Sequence, residues 1–137
     1  MYPADLVMPM KAELTENGFT DLTSIESVNE FLQKPGTTLI MVNSVCGCAA
    51  GGARPGVLAS LDNDKTPDNL GTVFAGFDME ATKAARDAMM PFPPSSPSIA
   101  LFKDGELVHM LERHHIEGHS PMMIAENLKQ AYNEHID

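Results

Sequence analysis

A chain of 137 residues, 43% of them apolar and 20% charged, has the size and composition of one domain that buries a core without disulfide staples, which excludes a natively disordered chain. Nineteen acidic residues against nine basic ones give a formal charge of -10, which disfavours nucleic acid and anionic membrane surfaces as partners, and no apolar run reaches the roughly 18 residues of a membrane helix. The N-terminus MYPADLVMPMK lacks the basic leader and apolar stretch of a secretory signal, so the expected location is cytoplasmic.

In chain order, Met10 and Leu14 lie four apart ahead of a stop at Gly18, which predicts a helix over about residues 3–17, bent or started by Pro9. A short strand is expected near Phe19 to Leu22. Thr23 and Glu26 have capping-box spacing, and Ile25, Val28, Phe31 and Leu32 repeat as one face of a second helix that Pro35 and Gly36 close. TTLIMVNSV is apolar and β-branched with no polar alternation at its centre, the pattern of a strand covered on both faces.

AAGGARPGVLASL then predicts a helix that Gly51, Gly52 and Pro55 weaken or kink. GTVFAGFD is a second buried strand, and Asp78 is placed to N-cap a helix over residues 79–90 that Pro91 stops. SIALFKDGELVHMLE encodes a β-hairpin turning at Asp104-Gly105. Ser120 and Pro121 start a closing helix with Ile124, Leu128, Ala131 and Tyr132 on one face. Helices between strands make most strand pairs parallel, and the hairpin adds an antiparallel edge, so the predicted class is α/β: a mixed sheet with helices on both faces.

Cys46 and Cys48 are the only cysteines, and they fall in the loop between a buried strand and the following helix, where open α/β sheets place their sites. Two thiols cannot form a disulfide framework, and in a reducing cytosol they point to catalysis, redox sensing or metal binding. A cysteine in the first turn of a helix meets unpaired N–H groups and the positive end of the helix dipole, which favours its thiolate, so Cys46 is the candidate nucleophile. Helical residues two apart have Cα atoms about 5.4 Å from one another, but their side chains diverge. A Cys46–Cys48 bridge therefore needs local distortion, which Gly47 is best able to absorb. Each ~1.4 kcal/mol of strain raises the potential of such a couple by ~30 mV, so the pair suits accepting a mixed disulfide, isomerising one or releasing a small thiol.

Arg54, about two helical turns past Cys46, is expected to be a solvated helix arginine; its alternative role is to attract the carboxylates of a small-thiol substrate. His109, His114, His115 and His119 crowd eleven residues, but Gly118 and Pro121 break any single-helix ligand pair, so solvated loop histidines are expected. The ten methionines are scattered as core fillers. Three function classes follow: a thiol–disulfide exchange enzyme, a metal-binding protein using the Cys-x-Cys thiols with a histidine, and an interaction module whose thiols are idle.

The order of elements, the cysteines at that junction and PSIALFKDGELV resemble the thioredoxin fold. More specifically, VNSVCGCAAGGARPG and FPPSSPSIALFKDGELVHMLERHHIEGH are similar to the bacilliredoxins, small thioredoxin-like proteins with a Cys-Gly-Cys site. The resemblance implies one thioredoxin-like domain over residues 1–137 with an N-terminal helical extension, a cis Ser96-Pro97 bond, Pro97 shaping a substrate groove and the Ser96 backbone offering it a hydrogen-bonding partner. It also implies Cys46 as attacking thiol, Cys48 as resolving or assisting thiol, and removal of the low-molecular-weight thiol bacillithiol from mixed disulfides on client proteins. It implies further that no cofactor is bound, that bacillithiol is a co-substrate and that a separate reductase regenerates the site. Members of the family have also been discussed as disulfide isomerases. One residue instead of two between the cysteines, and no tryptophan before them, set the chain apart from ordinary thioredoxins.

Overall fold

The computed structural model describes residues 1–137. Helix α1 (Ala4–Thr15) leads to a short strand β1 (Thr20–Asp21), then α2 (Ile25–Leu32), β2 (Thr37–Asn43), a π-helical turn (Ala49–Ala53) running into α3 (Arg54–Ser60), β3 (Asn69–Phe74), α4 (Met79–Ala88), β4 (Ser98–Lys103), β5 (Glu106–Leu111), a single turn α5 (Arg113–Ile116) and α6 (Pro121–His135). Five strands form one sheet in the order β1-β3-β2-β4-β5. β1 and β2 each pair parallel with β3, whereas β4 runs antiparallel to β2 and to β5. Although α4 separates β3 from β4, the chain from Met89 to Pro97 climbs back along the sheet, so β4 starts at the end where β2 and β3 finish.

Every residue of β2 is buried, and its alternation divides the core. Leu39 and Met41 join Leu14, Val57, Ile124, Leu128 and Tyr132 on the face covered by α1, α3 and α6. Ile40 and Val42 join Val28, Phe31, Ala81 and Ala85 under α2 and α4. The hairpin turns at Asp104 (φ 49°) and Gly105 (φ 85°), the left-handed pair a two-residue turn requires. Gly56 lets α3 approach α6: a Cβ there would lie 2.9 Å from Ile124 Cβ.

Two caps differ from the sequence reading. The capping box is formed by Ser24 and Ser27, not Thr23 and Glu26: the Ser24 hydroxyl accepts the Ser27 N–H at 3.1 Å and the Ser27 hydroxyl accepts the Ser24 N–H at 3.0 Å. Asp78 precedes α4 but its carboxylate caps no N–H, because it is turned to buried Lys11, 2.7 Å away. Ser120 caps α6 as expected, accepting the Met123 N–H at 3.2 Å. No helix is long and apolar enough to cross a membrane.

Candidate active site

Four segments meet at one end of the sheet. The residues after β2 carry Cys46 and Cys48, those after β3 carry Gly76, those before β4 carry Ser96 and Pro97, and those after β5 carry Glu112 and Arg113. The β2–β4 register pairs Val42 with Ser98, so its next step sets Pro97 beside Asn43, three residues ahead of Cys46. The Ser96-Pro97 bond is cis, and so is Met90-Pro91.

Both cysteines are free thiols, partly buried, with Gly47 exposed between them. The Cys46 carbonyl accepts the N–H groups of Ala49 (3.1 Å) and Ala50 (3.2 Å), so the helical segment opens at Cys46 and its sulfur stands at the N-terminal end. The Ser44 hydroxyl donates to Cys46 Sγ at 3.3 Å and accepts the Cys46 N–H at 3.4 Å. Burial alone would push the Cys46 thiol up; the neighbouring Cys48 thiol, the Ser44 hydroxyl and the backbone N–H groups of Ala49 and Cys48 outweigh it, and its pKa falls below the ordinary 9.0. Cys48 moves the other way. Burial raises it first and the Cys46 sulfur raises it further, while the charge of Arg113 opposes both. Cys48 also packs against the apolar cluster under α3 and α6. One thiol is thus prepared to ionise and the other to stay protonated beside it.

Arg54 corrects the sequence reading in both its forms. It is 2% exposed, neither a solvated helix arginine nor open to a substrate carboxylate. Its Nη1 donates to Asn43 Oδ1 (3.0 Å) and to the Ser44 carbonyl (2.8 Å), and its Nε lies 3.1 Å from Glu13 Oε1. Asn43 Oδ1 in turn accepts the Ser44 N–H at 2.9 Å, and its Nδ2 donates to the Met10 carbonyl at 3.2 Å. The guanidinium is turned inward because the end of β2 and α1 bring the Asn43 amide oxygen, the Ser44 carbonyl and the Glu13 carboxylate together beside α3. It fixes the loop that carries Ser44 and Cys46.

Sequence reasoning missed two residues. Ser44 lies two positions before the thiol, where a loop hydroxyl reaches back to the backbone, and that spacing is a usable signal. Arg113 was hidden inside a stretch whose histidines drew attention. Its Nη1 donates to the Ser96 carbonyl at 3.2 Å, its backbone N–H donates to Ser95 Oγ at 3.3 Å and its Nε donates to Glu117 Oε2 at 3.2 Å. Glu117, then Cys48 and Cys46, hold its charge above even the ordinary guanidinium range. The carbonyl of Ser96, whose backbone was expected to offer a substrate a hydrogen-bonding partner, is therefore already engaged by Arg113.

Neither cysteine belongs to a group of three metal-ligating side chains; the one such group is Glu112, His114 and His115. His115 Nδ1 accepts the Glu112 N–H at 3.0 Å, which leaves the proton of the neutral ring on Nε2, and Glu112 and His115 form the capping box of α5. The largest cavity, about 570 Å³, runs along α4 past Lys83 and Arg86 to Pro94 and includes neither sulfur.

A family model described as disulphide isomerase matches residues 2–136. A bacilliredoxin of Cytophaga hutchinsonii is 63% identical over 134 residues, covering 98% of this chain and 99% of that protein. A bacilliredoxin of Shouchella clausii is 53% identical over 135 residues, covering 98% and 93%. Among solved structures, a mutant thioredoxin from Halobacterium salinarum superposes with a TM-score of 0.59 at 15% identity over 88% of this chain and 93% of that one. The mitochondrial thioredoxin 3 of Saccharomyces cerevisiae gives 0.58 at 15% over 89% and 98%. The fold is thioredoxin-like, as the sequence implied.

Proposed function

The chain belongs to the bacilliredoxin family, a group of thiol–disulfide oxidoreductases, and from that membership we propose that it removes bacillithiol from mixed disulfides on client proteins through Cys46. The observation that carries the proposal is a partly exposed thiol of lowered pKa, hydrogen-bonded by Ser44 at the opening of a helix, on the sheet end where Pro97 also lies.

The Cys46 thiolate attacks the bacillithiol sulfur of the client disulfide; the client leaves as its thiolate and bacillithiol is carried on Cys46. A second bacillithiol thiolate then attacks the carried bacillithiol sulfur, releasing oxidised bacillithiol and the Cys46 thiolate. Alternatively, Cys48 attacks Cys46, expelling bacillithiol as thiolate and leaving a Cys46–Cys48 disulfide for a separate reductase. Of the causes that raise Cys48, burial persists once Cys46 carries the adduct, and it favours the first route, since a protonated thiol is a poor attacker. Such chemistry requires a reducing compartment that holds bacillithiol, which makes the cytoplasm the proposed location.

Incubating the reduced protein with a bacillithiolated client, with site-resolved mass detection, tests the reading. The adduct moves to Cys46; Cys46→Ser abolishes transfer; Cys48→Ala retains turnover when bacillithiol is supplied. Retained transfer by Cys46→Ser contradicts the assignment. The description of the matching family model favours a second reading, disulfide isomerisation on protein clients, which requires that the protein reactivate a scrambled-disulfide substrate without added small thiol.

A further inference from the structure

We propose that Arg113 is the specificity-determining residue of the thiol site, favouring small thiols that carry a carboxylate over neutral ones. The inference rests on the exchange reading above. A chain of formal charge -10 repels anionic small molecules over most of its surface, so a cation at the thiols decides whether such a molecule stays long enough to react. Arg113 is that cation. It follows β5 at the end of the sheet where the loops after β2 and before β4 also lie, and three contacts hold it. Its backbone and Nη1 bind Ser95 and Ser96, one residue ahead of Pro97, and its Nε binds Glu117 one turn along the chain.

Those contacts use Nε and Nη1 and leave Nη2 with no protein partner. The side chain remains 44% exposed. A guanidinium anchored along one part of its fork presents its remaining donors in a fixed plane, the geometry that accepts a carboxylate. Glu117 does not close the site to such a ligand: it is 62% exposed, and an ion pair this open is weak enough for an incoming carboxylate to compete for the same donors. The charge of Arg113 also reaches both sulfurs, Cys48 more strongly than Cys46, so a carboxylate held here lies on the thiol side of the sheet end. Other positive charge on this side comes from histidines when protonated; burial, then the charges of His114, His109 and His119, hold His115 below its ordinary value against the opposing charge of Glu112.

Two mixed disulfides of one client test this, one with glutathione, which bears two carboxylates, and one with uncharged 2-mercaptoethanol. Transfer to Cys46 is timed for the native protein, Arg113→Gln and Arg113→Lys. The native protein prefers the glutathione adduct, Arg113→Gln slows that adduct about fivefold more than it slows the neutral one, and Arg113→Lys restores part of the preference. Added salt weakens the preference of the native protein; in Arg113→Gln, where only the repulsion of the acidic surface is left to screen, salt does not slow the glutathione adduct. Equal slowing of both adducts by Arg113→Gln assigns the residue a structural role through Ser96 and overturns the inference, as does a native protein that takes both adducts equally. Transfer of neither adduct by the native protein contradicts the exchange reading itself.

Discussion

Ser44 separates Cys46 from an ordinary cysteine. Its hydroxyl donates to the sulfur while accepting the N–H of the same residue, so a single side chain favours the thiolate and orients the backbone that presents it. Ser44→Ala removes a hydrogen bond worth about 1 kcal/mol, and alkylation of Cys46 at neutral pH slows a few-fold. The loss is partial because a thiol of higher pKa is intrinsically more nucleophilic once ionised. An unchanged rate across the pH range assigns the ionisation to the Cys48 thiol and the backbone. The sequence placed the candidate nucleophile by its position after an apolar strand. It did not show which way Arg54 turns, since the oxygens that attract its guanidinium come from Glu13, Asn43 and Ser44 and meet only after the fold closes.

Helix α1, which the sequence reading treats as an extension, is tied to the sheet by Lys11. That residue is 4% exposed, 3.1 Å from Asp21 Oδ1, 2.7 Å from Asp78 Oδ2 and 5.0 Å from the centre of the Phe77 ring. One ammonium thus joins α1 to β1 and to the turn between β3 and α4, next to the thiol loop. Lys11→Met leaves Asp78 buried without a counter-charge and costs about 3 kcal/mol in urea unfolding; adding Asp78→Asn recovers part of the loss. A loss no larger than a surface substitution contradicts the tether. Periodicity and turn chemistry made α2, β2, β4, β5 and α6 readable from the chain, with Ser120 as cap and Asp104-Gly105 as turn, although for α2 the spacing pointed to Thr23, one residue before the Ser24 that caps it. What Asp78 does was not readable, since Lys11, sixty-seven positions away, takes the carboxylate that local rules assign to α4.

The two faces of the sheet are stabilised by burial, and the face that supports the thiols contains one titratable group set deep among apolar neighbours. Tyr132 is fully buried and its hydroxyl lies 2.9 Å from Ser60 Oγ, which itself donates to the Val57 carbonyl at 2.6 Å. Burial pushes the phenol up to about 12, opposed by the Ser60 hydrogen bond. A folded pKa above the unfolded value of 10.0 favours the neutral phenol, so this contribution to stability is complete below pH 10 and is lost as pH rises toward 12. Tyr132→Phe costs about 1 kcal/mol at neutral pH and removes that alkaline decline, measured as unfolding midpoints against pH. A variant that declines as the native protein does contradicts the assignment. The mixed sheet with helices on both faces was readable from the chain, but the sheet order was not, because β4 enters beside β2 through a pairing that no local pattern encodes.

The difference in ionisation between the two thiols is the claim on which the account turns, and site-resolved alkylation of the reduced protein across pH measures it directly. Cys46 is predicted to titrate below 9.0 and Cys48 above it, with the Cys48 curve dropping once Cys46 is replaced by serine. Coincident curves near 9.0, or Cys48 ionising first, contradict it.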